Sequence, residues 1–128
     1  MHKSRLGTIV IDCRTDDLDG AAKFWAAAVG RPVHAHVDAD SPNYRELEGP
    51  DDEVKILVQA VEHPSRVHID IETDDIEAEV RRLEAQGAKR VGQVKTWWIM
   101  EAPSGQRFCV VRPQRADFEE RAHPWHEP

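Results

Sequence analysis

The sequence predicts an α+β fold made of two tandem copies of one β-α-β-β-β unit. Three observations carry that reading. IVIDCRTDD (residues 9–17) and VHIDIETDD (residues 67–75) share an Ile-Asp-x-x-Thr-Asp-Asp frame. A stretch with apolar residues at helical spacing, closed by a glycine, follows each copy. Beyond each glycine come three β-rich segments separated by Pro, Gly, Ser and Asn turns.

In the first copy, residues 8–13 are a β-branched apolar run and read as a strand. Asp16, Asp17 and Asp19 offer cap and first-turn acids to a helix. That helix carries Leu18, Ala21, Ala22, Trp25, Ala28 and Val29, with Trp25 read as core, and ends at Gly30 before Pro32. Strands are expected at 33–38, 44–48 and 54–61. In the second copy, a strand at 67–72 leads through Asp74 and Asp75 into a helix bearing Ile76, Val80 and Leu83. Gly87 stops it, and strands follow at 88–94, 96–101 and 107–112. Leu47-Glu48-Gly49-Pro50 holds the place in the first copy that Met100-Glu101-Ala102-Pro103 holds in the second. The 128 residues read as one domain, with module one about 5–62, module two about 66–113 and a C-terminal tail at 114–128.

Charge and composition narrow the partners. The chain is 40% hydrophobic and 32% charged, with net charge −7 and pI near 5.4. This acidity argues against nucleic acid, whose backbone is held by clustered Lys and Arg, and suits a cationic small molecule. No apolar run is long enough for a membrane span, and no signal-type segment opens the chain, so a cytoplasmic location is expected. Cys13 and Cys109 lack zinc spacing and fall in strands on opposite sheet faces, so a disulfide is not expected. No phosphate-binding glycine loop and no nucleophile elbow is present, and Ser104 belongs to a Pro-Ser-Gly turn.

Paired modules with RVHIDIETDDIEAEV opening the second and APSGQRFCVV closing it resemble the vicinal oxygen chelate superfamily. That group includes glyoxalase I, extradiol dioxygenases, fosfomycin-resistance enzymes and bleomycin-binding proteins. AAKFWAAAVGRPV in the first helix is similar to the glyoxalase-like bacterial subgroup. The resemblance spans about residues 5–113. It implies a curved, mostly antiparallel sheet around a cavity with helices outside, and a homodimer. Metal-using relatives place ligands on the first and last strands of each module. The resemblance puts these places at Val10 (Thr8 if the register slips), Ile56, His68 and Cys109. Valine and isoleucine cannot coordinate, and one His with one Cys is a poor divalent site. No metal and no cofactor is therefore expected.

Alternation turns His68, Asp70 and Glu72 to the cavity if Ile69 and Ile71 face the helix, and does the same for Thr8, Val10 and Asp12 in module one. The expected ligand-binding residues are Asp12, Tyr44, His68, Asp70, Trp97, Trp98 and Cys109, with one of the two adjacent tryptophans on each face. His68 and Asp70 are the best catalytic candidates, a titrating imidazole beside a carboxylate. Asp12 and Asp70 also suit a structural role, accepting hydrogen bonds from Arg66 or Arg112. His34 and His36 share a face of the expected strand at 33–38 and read as solvent-facing. His123 and His126 belong to a surface tail, whose Phe118 and Trp125 are placed to cover the cavity mouth or a second subunit. The function expected is metal-independent binding of a small organic ligand, cationic or aromatic, such as an antibiotic or metabolite. The alternative is a glyoxalase-, lyase- or dioxygenase-type enzyme using His68 with an unconventional metal or acid–base set.

Overall fold

A computed structural model describes residues 1–126. In chain order the elements are β1 (His2–Arg14), α1 (Leu18–Val29), β2 (Tyr44–Leu47), β3 (Lys55–Val61), β4 (Arg66–Thr73), α2 (Ile76–Ala85), β5 (Lys89–Val94), β6 (Trp97–Glu101), β7 (Arg107–Val111), α3 (Phe118–Arg121) and β8 (His123–Trp125). The fold class is α+β, as the sequence predicts. The chain divides into two compact units, one of residues 9–67 and one of residues 1–8 with 68–128.

In the unit of residues 9–67, β2 and β3 pair antiparallel, with Leu47 opposite Ile56 and Tyr44 opposite Gln59. Asp17 caps α1: its carboxylate accepts from the Gly20 N–H at 3.0 Å. The helix ends at Gly30, whose left-handed φ of +72° lets its N–H reach the Ala26 carbonyl. Ala22, Leu47 and Val58 form the core, with Cys13, Leu18, Trp25 and Ile56 packed around them. Burial pushes the Cys13 thiol up, as does the neighbouring Asp12, against a lowering contact with Trp25.

The expected strand at 33–38 does not form. Only Val33 bridges to Leu47, and the His34 N–H donates to the Glu46 carbonyl. Two residues on, the His36 N–H is captured by the His34 ring Nδ1 at 3.0 Å. A local side-chain acceptor there takes the place of a neighbouring strand. His34 and His36 consequently sit in an irregular loop, with His34 Nε2 3.7 Å from Glu48.

In the other unit, β4 and β7 run parallel, and β7–β6 and β6–β5 antiparallel. Asp75 caps α2 by accepting from the Ala78 N–H. Asp74 has a different task, accepting from the Lys3 backbone N–H at 2.8 Å. Val80, Met100 and Val110 are fully buried, with Ile76, Leu83, Trp98 and Phe108 around them. Ile69, on the helix side of β4, is 40% exposed: the buried core of this unit draws on α2, β6 and β7.

The tail packs as part of this unit, and His123 and His126 on it are exposed, as expected. β8 pairs antiparallel with the start of β1, His2 opposite Trp125. Phe118 is buried, the Trp125 indole N–H donates to Ser4 Oγ, and the Arg82 guanidinium lies 3.7 Å over the Trp125 ring. Phe118 and Trp125 thus pack within their own chain. His123 stacks on Trp125 with ring centroids 4.2 Å apart.

Candidate functional site

The site begins with a register. Asp70 on β4 is the Cα partner of Cys109 on β7, and Cys109 is the partner of Ile99 on β6, itself opposite Gly92 on β5. Partners in a ladder point to the same side, so these four residues form one row across the sheet. Val110, next to Cys109, packs into the α2 core. The row therefore lies on the face turned away from α2. His68, two residues before Asp70, lies on that same face.

His68 Nε2 lies 3.4 Å from Asp70 Oδ1, and the two side chains are only 13% and 16% exposed. One donor atom from each of His68, Asp70 and Cys109 falls within 4.8 Å of the other two. Strand alternation and a parallel pairing thus bring together three of the expected site residues. An imidazole, a carboxylate and a thiol in a half-buried place can bind a polar group, exchange a proton with it or hold a cation.

Around the cluster the face is mixed. Trp98 packs against the α2 core with Arg90 over its ring, so Trp97 emerges on the side of His68. Arg107 and Glu101 form an ion pair at 3.3 Å one step along the strands from Cys109 and Ile99. An added Cβ at Gly92 would meet nothing within 4 Å, so the row ends in open space.

Glu72, next on this face, is fully buried and accepts from Arg5 Nε (2.5 Å) and from the Gln114 backbone N–H (2.6 Å). Arg5 also donates to Asp117. That guanidinium holds the Asp117 carboxyl below its ordinary value, and the two carboxylates hold Arg5 above its own against the opposing effect of burial. The residues closing this end of the face come from the first strand and the tail. No local pattern in the sequence marks them.

Asp12 and Tyr44 belong to the other unit. Asp12 is buried, with Arg66 Nε 3.8 Å from its Oδ2. Tyr44 is half-buried on the face of β2 opposite Leu47, which packs under α1. Ile56 packs into the core beneath α1, so its side chain belongs to the helix side. Val10 is fully buried. Two of the four places implied for a metal centre thus carry hydrocarbon, and one of those two is turned to the helix. A four-ligand centre of that kind does not fit this chain.

A family model described as a glyoxalase-like domain matches residues 8–111. Among solved structures, a hypothetical protein from Bacillus halodurans C-125 aligns with a TM-score of 0.63 and 15% identity, over 88% of this chain and 97% of that one. Methylmalonyl-CoA epimerase from Mycobacterium tuberculosis aligns with a TM-score of 0.56 and 18% identity, over 85% and 87%. A glyoxalase/bleomycin resistance protein/dioxygenase superfamily member from Vibrio splendidus 12B01 aligns with a TM-score of 0.54 and 20% identity, over 84% and 98%. At such identities the likeness speaks for the fold alone. No curated protein matches the chain by sequence. No helix among the described residues is long and apolar enough to cross a membrane.

Proposed function

The chain belongs to the glyoxalase-like family of the vicinal oxygen chelate superfamily, and from that premise we propose that it binds a small organic molecule through His68, Asp70 and Trp97, without the four-ligand metal centre of metal-using relatives. The observation that carries this reading is the His68–Asp70 pair at 3.4 Å, largely buried and on the same sheet face as Trp97. Small-molecule sites combine a few fixed polar groups with apolar and aromatic walls. A carboxylate and an indole face together favour a cationic or aromatic ligand, since the aromatic ring attracts cations and stacks on planar groups. The net charge of −7 adds a favourable long-range field for a cation.

The test is a thermal-shift panel of cationic and aromatic compounds on the full chain. A ligand present at about 100 times its Kd stabilises by roughly 2.7 kcal/mol, which shows as a clear rise in Tm. The expected result is a rise with at least one class that His68→Ala removes. A flat panel, or a rise that persists in His68→Ala, overturns the reading.

The same pair supports a second reading, acid–base catalysis on the bound molecule. An imidazole beside a carboxylate is suited to proton transfer near neutral pH. NMR of a bound compound after prolonged incubation separates the two: an altered compound supports catalysis, and an unaltered one supports binding alone.

A further inference from the structure

We propose that Cys109 is a nucleophile that captures soft electrophiles covalently, with His68 taking the thiol proton and Asp70 orienting the imidazole. The compounds it would take are α,β-unsaturated carbonyl compounds carrying an aromatic group. The proposal rests on the ligand-binding reading for the place of the site and adds a bond-forming step to it.

A nucleophile, a base within reach of it and a third group that orients the base make up an activated set. All three are on one sheet face here. One donor atom from each of Cys109, His68 and Asp70 lies within 4.8 Å of the other two. Base and nucleophile commonly stand this far apart before a substrate enters. His68 Nε2 faces Asp70 Oδ1 at 3.4 Å. That oxygen is buried and has no hydrogen-bond partner among the described residues. It is placed to balance the charge that the ring gains with a proton. The ladder holds the set together: Asp70 and Cys109 are register partners, and His68 shares the strand of Asp70.

The neighbourhood selects the electrophile. Cys109 pairs with Ile99, and Ile99 with Gly92, where an added Cβ would meet nothing within 4 Å. The missing side chain leaves room beside the thiol for a flat group resting on Ile99, with Trp97 on the same face to stack on it. The other thiol is differently placed. Cys13 packs with Leu18, Trp25 and Ile56 under α1, its Sγ 3.7 Å from the Ile11 carbonyl oxygen, and burial pushes its pKa up. A thiol kept protonated in apolar packing is inert.

The step is an addition. The thiol proton passes to His68 as Sγ bonds to the β-carbon, and the C=C electron pair becomes that of an enolate. The proton then returns from His68 to the α-carbon. The net change adds S–H across the double bond; nothing is oxidised and no group leaves.

The experiment treats the full chain with benzylideneacetone and follows it by intact mass and peptide mapping. Benzylacetone, the saturated counterpart, is the non-covalent control. The expected result is one adduct per folded chain, at Cys109, carrying the whole mass of the probe. His68→Ala and His68→Gln each slow its formation about 100-fold, the lower end of what a positioned base contributes. Cys109→Ser forms no adduct, and Cys13→Ala reacts as wild type does. Circular dichroism confirms that each variant is folded. The proposal is overturned by a folded wild type that forms no adduct, by Cys13 labelled as fast as Cys109, or by a rate unchanged in both His68 variants. Thermal shifts with benzylacetone report binding alone, so a shift without an adduct of benzylideneacetone sinks the covalent step and leaves the binding reading standing. A flat compound panel together with an adduct at Cys109 does the reverse.

Discussion

Arg5 donates from Nε to Glu72 at 2.5 Å, joining the first strand to the fourth through a carboxylate with no exposed surface. The same carboxylate accepts from the Gln114 backbone N–H, so one buried charge ties the start of the chain and the tail to β4. Removing one member of a buried pair strands the other. Glu72→Ala is expected to cost about 3 kcal/mol, the lower end for such pairs, because Arg5 keeps Asp117 as a partner. Urea unfolding measures this. A second substitution, Arg5→Met, should recover part of the loss, and a double mutant as unstable as the sum of the singles would speak against the coupling.

Gly7 on β1 depends on that same carboxylate. A Cβ at position 7 would lie 2.9 Å from the Glu72 Cγ. Glu72 is pinned by its hydrogen bonds and cannot swing away, so Gly7→Ala is expected to destabilise by roughly 1–3 kcal/mol. Gly92→Ala, with open space at its Cβ, should fall within about 0.5 kcal/mol of wild type. Comparing the two denaturant midpoints checks the assignment.

Glu79 supplies a pH signature. It is fully buried on α2, and burial pushes its carboxyl up, but donors from Arg82, His2 and Ser4 outweigh that and leave it below the ordinary 4.5. A depressed folded-state pKa contributes stability that is present above the unfolded value and lost as pH falls through the folded one. Wild type should therefore exceed Glu79→Gln in stability at pH 7 and keep the advantage down to the unfolded pKa. Below that the gap should close. Equilibrium unfolding of both proteins across acid pH reads this directly, and a gap that widened on acidification would contradict the sign.

The repeated frame was legible because its work is local. A capping acid satisfies N–H groups one turn away, and a glycine ends a helix at its own position. Yet the frame did not say which acid caps. Asp17 and Asp75 accept from the helix, whereas Asp74 holds the Lys3 backbone, a partner remote in sequence. Asp75→Ala should then cost about 1 kcal/mol, and Asp16→Ala, which caps nothing, under about 0.5 kcal/mol. Segment 33–38 was misread because a β-branched alternation does not show that His34 will capture the N–H of His36. The tail's short strand was not legible for a related reason. β8 has three residues, too few for a period, and its support comes from Ser4 and Arg82. At the site, alternation placed His68 and Asp70 on one face, and the family resemblance pointed to Cys109. Only the parallel register showed that Asp70 and Cys109 are neighbours.

Trp97 and Trp98 give the sharpest separation of packing from binding. The sequence assigned one indole to each face without saying which. Trp98 lies against Val80, Met100 and Val110, with Arg90 5.0 Å over its ring. Trp97 is on the face of His68 and is approached by Lys95 at 6.0 Å. Truncating a large aromatic in a core costs about 3–5 kcal/mol when fully buried, so half-buried Trp98→Ala should lose about 3 kcal/mol. Trp97→Ala removes little core and should lose about 1 kcal/mol. Their effects on ligands should run the other way. In Trp97→Ala the thermal shift given by an aromatic or cationic compound should shrink or vanish, although the protein is nearly as stable as wild type. A milder change, Trp98→Phe, keeps the core filled and should bind that compound as wild type does. If Trp97→Ala kept the full shift while Trp98→Phe lost it, the ligand would lie on the helix side of the sheet, and the assignment of the face around His68 would fall with it.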